Sequence, residues 1–388
     1  MAVQGLDKTT WTKPTSATSF NAMPNQKIAV VLFNLGGPDS PDAVRPFLFN
    51  LFNDPAILRI PGLFRTPLAH LLARRRAKPA GEIYEILGGK SPLLENTEAQ
   101  ARAIEAALGD IGEVKAFIAM RYWHPMSDET VDQVRRFDPD RIVLLPLYPQ
   151  FSTTTTASSE KMWFQAAKSA GLNKPTVTVC CYPTEPGFIK AATGLIRHGI
   201  EEAGAHGKPR VLFSSHGLPK KVVKGGDPYQ WQCERTAEAI VRELNIPGLD
   251  WISCYQSRVG PLEWIGPSTD AEIERAGTDG VPLVVVPIAF VSEHSETLVE
   301  IEVEYRHLAQ EKGVPYFVRV PTVGVEDPFI QGLARLVRQA IRGEVKMCSQ
   351  SGGRICPDAF QGCPQRAGQA SRGQSAPEAQ SKRPMAAE

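Results

Sequence analysis

Val31-Leu-Phe-Asn-Leu-Gly-Gly-Pro38 and Val211-Leu-Phe-Ser-Ser-His-Gly-Leu-Pro219 follow one pattern, an apolar run that closes on a glycine–proline turn. A second pair, Val143-Leu-Leu-Pro-Leu-Tyr148 and Val284-Val-Val-Pro-Ile-Ala289, repeats further along. The two offsets are 180 and 141 positions, so the first half would carry an insertion of about 40 residues. Runs of the same kind lie at 28–34, 114–120, 141–147, 176–181, 210–214, 251–255, 281–287 and 316–320. They are short, apolar and rich in β-branched residues, as strands buried on both faces are. Between them the spacing turns helical. Ala101, Ile104, Ala107 and Leu108 share one face of 97–108, and Ala237, Ile240, Val241 and Leu244 share one face of 233–244. Buried strands alternating with amphipathic helices give an α/β fold with parallel sheets covered on both sides. The repeat gives two similar domains facing a cleft, with ligands expected beyond the carboxyl ends of the strands.

The 388 residues have room for two or three domains, and the 42% hydrophobic and 22% charged content is that of a globular chain. A net charge of +1 argues against a nucleic-acid partner, whose binders carry a large positive excess. Residues 1–26 are polar, lack the apolar core of a secretory signal and are expected to be a disordered tail. No apolar run has the length of a membrane span. A cytoplasmic protein is expected, with its cysteines reduced.

His216 directly follows a strand and precedes Gly217, which puts an imidazole at a strand end inside the expected cleft. A helix beginning near Glu293 would align Glu293, Glu296, Glu300 and Glu304 at spacings of three, four and four. Such a stripe is either a solvated acidic face or a path for a cation, and His294 at its start favours the second. Carboxylate with imidazole suits Fe²⁺. The segment 47–72 is strongly apolar, broken by Pro55, Pro61 and Pro67, and followed by Arg74-Arg-Arg76 and Lys78. It reads as core helices or as an apolar lip over the cleft that touches a bilayer. Gly88-Gly-Lys-Ser91 is not a phosphate loop, because Tyr84 stands where that motif needs glycine.

The chain resembles the ferrochelatases through several motifs in order: Leu35-Gly-Gly-Pro38, Gly89-Lys-Ser-Pro92, Met120-Arg-Tyr122, Leu147-Tyr-Pro-Gln-Phe-Ser152, Ser214-Ser-His-Gly-Leu-Pro219, Gln256-Ser-Arg-Val-Gly260, Trp264-Ile-Gly-Pro267 and Ser292-Glu-His-Ser-Glu-Thr-Leu298. The resemblance spans about residues 27–342. It implies two Rossmann-like domains with four-stranded parallel sheets around a porphyrin cleft, and insertion of Fe²⁺ into protoporphyrin IX. It also implies His216 and Glu296 as the iron site, His294 as a further catalytic residue, and Glu293 and Glu300 in a polar channel. Arg121, Tyr122, Trp264, Phe290 and Leu58 would contact the macrocycle. Protoporphyrin IX and ferrous iron would be the partners, and the protein would sit peripherally at the inner face of the membrane if the lip binds lipid. The rivals are a chelatase for another metal or porphyrin, and a two-lobed binding protein without chemistry.

Some ferrochelatases carry a [2Fe–2S] cluster on C-terminal cysteines and one internal cysteine. Cys348, Cys356 and Cys363 supply three thiols here, but the stretch Phe151-Ser-Thr-Thr-Thr-Thr156, where the animal enzymes have the internal ligand, has threonine. A fourth ligand would come from Cys180, Cys181 or elsewhere, and zinc binding or a loose reduced tail are the alternatives. The expected domains are 27–170, including the lip at 47–72, and 171–325. A helix at 326–345 would return to the first domain, and a cysteine-containing, largely disordered tail would occupy 346–388.

Overall fold

The computed structural model describes residues 26–258, 260 and 262–365. The expected N-terminal tail lies outside them, apart from Gln26. In chain order the first lobe contains β1 (Lys27–Asn34), α1 (Val44–Phe52), α2 (Gly62–Ile86), α3 (Leu93–Ala107), β2 (Glu113–Met120), α4 (Ser127–Phe137), β3 (Arg141–Pro146), α5 (Thr156–Ser169) and β4 (Thr176–Val179). After α6 (Pro186–Gly204) the second lobe contains β5 (Arg210–His216), α7 (Lys220–Lys224), α8 (Tyr229–Leu244), β6 (Asp250–Gln256), α9 (Thr269–Asp279) and β7 (Leu283–Pro287). It continues with a π-helical segment (Glu296–Tyr305), α10 (Arg306–Glu311) and β8 (Phe317–Arg319), and the chain closes with α11 (Asp327–Arg342) and β9 (Met347–Cys348).

Every strand pairing is parallel. The sheets run β2-β1-β3-β4-β9 and β6-β5-β7-β8. Apart from β9 the two orders are the same, so the sequence repeat is a repeat of topology. In the first sheet Val31 lies beside Leu144, and in the second Val211 lies beside Val284. Both central strands are buried almost end to end, because helices cover each face. The inserted material of the first half is α1 and α2, placed between β1 and α3.

Three expectations need correction. The first sheet has five strands rather than four, because β9 pairs with β4 through Thr178–Met347 and Val179–Cys348. The stretch 346–365 is therefore folded and not a disordered tail. Second, β4 at 176–179 belongs to the first sheet, beyond the expected end of that domain at residue 170. Third, the prolines break the lip less than expected. The chain turns at 53–61, but α2 then runs 25 residues with Pro67 and Pro79 inside it.

The lobes share one core. Helix α6 leaves the first sheet yet packs on β7 and β8, while α11 leaves the second sheet and packs on β3, β4 and α3. The two helices also pack on each other between the sheets, with Phe188 and Phe329 ring centroids 5.9 Å apart. A side chain at Gly187 would strike the Pro328 carbonyl, and one at Gly332 would strike the Glu185 carboxylate. Glu185 caps α6 by accepting from the Phe188 N–H at 2.9 Å and pairs with Arg335 of α11. Among the described residues no helix is long and apolar enough to cross a membrane.

Candidate active site

His216 is the last residue of β5. Its Nδ1 lies 2.6 Å from the Gly217 carbonyl oxygen, which can only accept, so Nδ1 carries the proton and Nε2 is left for the cleft. Position 217 is tight, since a Cβ there would meet the Gln256 carbonyl at 3.0 Å and the Trp264 ring at 3.1 Å. His294 follows the same rule from the other side: its Nδ1 donates to the Ser292 carbonyl at 2.9 Å, which frees Nε2. Glu296 stands between the two rings. Its Oε1 is 4.0 Å from His216 Nε2 and its Oε2 is 3.8 Å from His294 Nε2. These separations are too long for hydrogen bonds, and Oε2 is buried without a partner.

The electrostatics follow from this crowding. Burial pushes the Glu296 carboxyl up, but the two imidazoles outweigh it and hold it below its ordinary range. Burial pushes His294 down, and Glu296 more than reverses this, so the imidazole ends above its ordinary value. Burial and the charge of Glu296 together raise Glu300.

The glutamates expected to form one acidic stripe are committed to different partners. The segment 296–305 is π-helical, with a wider turn. Glu300 accepts from the Ser257 N–H (2.8 Å) and hydroxyl (2.5 Å), Gln256 Nε2 (3.0 Å) and the Tyr305 hydroxyl (3.0 Å). Glu293 is bound by Arg319 at 2.8 Å, the Thr322 N–H at 3.0 Å and the Thr297 hydroxyl at 2.5 Å. Glu304 is exposed. Of these four glutamates only Glu296 keeps a buried oxygen without a partner.

A family model described as ferrochelatase matches residues 27–341. The chain belongs to the ferrochelatase family. A ferrochelatase of Caulobacter vibrioides is 55% identical over 346 residues, which cover 88% of this chain and 99% of its own. One from Pelagibacter ubique is 47% identical over 341 residues, 87% and 98% of the two chains. A solved structure titled SirB from Bacillus subtilis with Fe3+ overlaps loosely, with a TM-score of 0.48 and 11% identity over 82% of this chain and 96% of that one. The family's reaction is insertion of ferrous iron into protoporphyrin IX, a lyase activity of haem biosynthesis, so porphyrin and Fe²⁺ are the substrates.

The residues that ferrochelatase resemblance assigned to the porphyrin are divided by the structure. Phe290 lies beside His294, ring centroids 4.8 Å apart, and Trp264 backs the His216 loop. Leu58 sits half-buried on the 53–61 connector. Tyr122 is only 1% exposed and offers no free ring face in this conformation. It and Arg121 instead serve Asp54, whose Oδ2 accepts from the Tyr122 hydroxyl (2.8 Å), Arg121 (2.6 Å) and the Ser158 hydroxyl (2.6 Å). Asp54 was invisible in the sequence because an Asn-Asp-Pro turn reads as an ordinary loop. Tyr84, near the end of α2, is linked to Ser295, and burial raises its hydroxyl to about 12. The lip helix thus abuts the loop that carries Ser295.

A second cluster gathers five thiols at the far edge of the first sheet. Cys180 and Cys181 Sγ atoms are 3.5 Å apart, and the Cys180 N–H donates to the Cys348 carbonyl at 2.8 Å. Gln232 Nε2 donates to Cys356 Sγ at 3.1 Å. The Cys363 thiol, hydrogen-bonded to the Cys356 thiol, is pulled down to about 6, while burial pushes Cys348 up to about 12. Thr153 is occupied with Asp227, which takes both its N–H and its hydroxyl at 2.7 Å. Among the described residues no group of three or more His, Cys, Asp or Glu is placed to hold a metal ion.

Proposed function

We propose that Glu296, with His216 and His294 on its two oxygens, receives ferrous iron and passes it to the porphyrin, while the imidazoles take part in removing the two pyrrole protons. The observation that carries this is the buried, unpartnered Oε2 of Glu296 flanked by two Nε2 atoms whose Nδ1 atoms are already committed. Neutral imidazole nitrogen and carboxylate oxygen are ligands that Fe²⁺ accepts, and either can also accept a proton. Phe290 and Trp264 would present rigid aromatic surfaces to the macrocycle on either side of these groups. His216→Ala tests the reading. The variant should bind protoporphyrin as the parent does and lose at least about a hundredfold in insertion rate, the lower end of general acid–base contributions. Insertion at a near-parental rate would mean that the chemistry lies elsewhere in the cleft.

The lip supports a peripheral membrane contact. Leu63 (80%) and Phe64 (65%) are the most exposed large apolar side chains of α2, with Leu68 and Leu71 further along, and the exposed Arg74, Arg75, Arg76 and Lys78 follow. Apolar residues leading into cations fit an anionic lipid surface.

Five free thiols brought to one sheet edge support a [2Fe–2S] centre, although as placed they do not converge on one. Cys348, Cys356 and Cys363 would provide three ligands and either Cys180 or Cys181 the fourth, after rotation of the thiols. Such a centre supplies a one-electron redox group. The chain's own contribution is to bring three separate segments together and to donate the Gln232 N–H to Cys356 sulfur.

A further inference from the structure

His294 follows β7 of the second lobe, but the segment that carries it is held by a helix of the first. Gln100 of α3 is fully buried. Its Nε2 donates to the carbonyls of Val291 (2.8 Å) and Gly324 (2.9 Å), and its Oε1 accepts from the Ser292 hydroxyl (2.8 Å). One turn earlier, Asn96 Nδ2 donates to the Glu293 carbonyl at 2.9 Å. The carbonyl of Ser292 is the group that accepts His294 Nδ1–H. Helix α3 is itself tied to the end of β1, where Asn34 Nδ2 donates to the Thr97 hydroxyl at 3.0 Å.

We propose that Gln100 is a positioning residue for iron insertion. Acting across the lobe boundary, it fixes the Val291–His294 segment so that the Ser292 carbonyl orients the His294 ring and aims Nε2 at Glu296. This rests on the reading of His294 and Glu296 as metal-handling groups. Only a side-chain amide provides two donors and an acceptor on one planar group. Glutamate lacks the donors, and leucine leaves two carbonyls and a hydroxyl without their partner. A catalytic ring displaced by about 1 Å costs roughly a hundredfold in rate.

The test uses full-length protein with ¹⁵N-labelled histidine and the variants Gln100→Leu and Ser292→Ala. The parent should show a slowly exchanging Nδ1–H resonance for His294, assigned by its loss in His294→Gln. Gln100→Leu should lose that protection and turn over roughly ten- to a hundredfold more slowly, with unchanged protoporphyrin binding measured by fluorescence quenching. Ser292→Ala retains the carbonyl and should move both readouts less, in the same direction. Folded Gln100→Leu that retains the protected resonance overturns the proposal, whatever its rate. If Gln100→Leu does not fold, an unaltered His294 resonance in Ser292→Ala overturns it. A lost resonance with parental turnover leaves Gln100 as the group that positions His294 and instead removes His294 from iron handling.

Discussion

At the scale of single residues, the site is governed by where protons reside. The raised pKa of His294 means that its charged form favours the folded state, a contribution complete below the ordinary imidazole value and lost as pH rises through the raised one. The lowered pKa of Glu296 acts oppositely, present above the ordinary carboxylate value and lost as pH falls through the lowered one. The ion pair therefore persists between the lowered carboxylate and the raised imidazole. Iron needs the Nε2 lone pair that the proton occupies, so the KM for iron should fall as pH rises through the raised His294 pKa, while the KM for porphyrin stays flat. A KM for iron that does not fall as pH is raised above the ordinary imidazole value would argue against His294 meeting the metal. Glu296→Gln retains the volume and removes the charge, so turnover should fall at least about tenfold, within the scale of one lost charge-assisted partner. Glu304→Gln should change turnover less than about twofold, since an exposed surface substitution rarely matters. His216, His294 and the glutamates were legible as chemistry from the residues, but Glu296 was singled out among the four only by the family resemblance, because spacing shows which carboxylates share a face and not which of them find partners.

At the scale of elements, strands were the most legible part and the tail the least. Eight apolar runs mark eight strands to within a few residues, since burial on both faces leaves little but β-branched and aliphatic side chains. The two-residue β9 has no such signature, and its place follows from pairing with β4 rather than from its own composition. Lip helix α2 is half legible: its apolar content was plain, but which side faces solvent was not. Phe49 stacks on His70 at 4.1 Å and belongs to the packing between α1 and α2, whereas Leu63, Phe64 and Leu71 project outward. Replacing these three with serine should reduce binding to vesicles containing anionic lipid by at least about tenfold, as lost apolar burial of that size predicts, with the melting temperature nearly unchanged. Vesicle binding that survives would leave α2 as a porphyrin cover only. The tail gives its own test. Anaerobically purified protein supplied with iron and sulfide should show iron–sulfur absorption in the visible range, and Cys356→Ser should abolish it. Colourless parental protein would leave the five thiols as packing.

At the scale of the whole molecule, the repeat Val31–Pro38 and Val211–Pro219 anticipated two lobes and the return of the 326–345 helix to the first was expected, but not the reciprocal crossing of α6 to the second. Side-chain patterns show that a helix has an apolar face, not which sheet receives it. Because α6 and α11 each cross to the other lobe, one continuous set of buried side chains joins Val30 and Leu32 of the first sheet with Val211 and Phe213 of the second. The lobes should therefore unfold together. Phe329 of α11 is fully buried in that shared core, against Phe188 of α6. Phe329→Ala should lower stability by about 3–5 kcal/mol, the usual range for truncating a core phenylalanine. The loss should appear equally at both ends of the molecule. Fluorescence of Trp163 in the first lobe, and of Trp251 in the second, each measured with the other tryptophans replaced by phenylalanine, should report one coincident urea midpoint in the parent. Both midpoints should move down together in the variant, as a cooperative two-state transition requires. If the midpoints separate, each lobe holds a core of its own, and the crossing helices dock onto the lobes without uniting them.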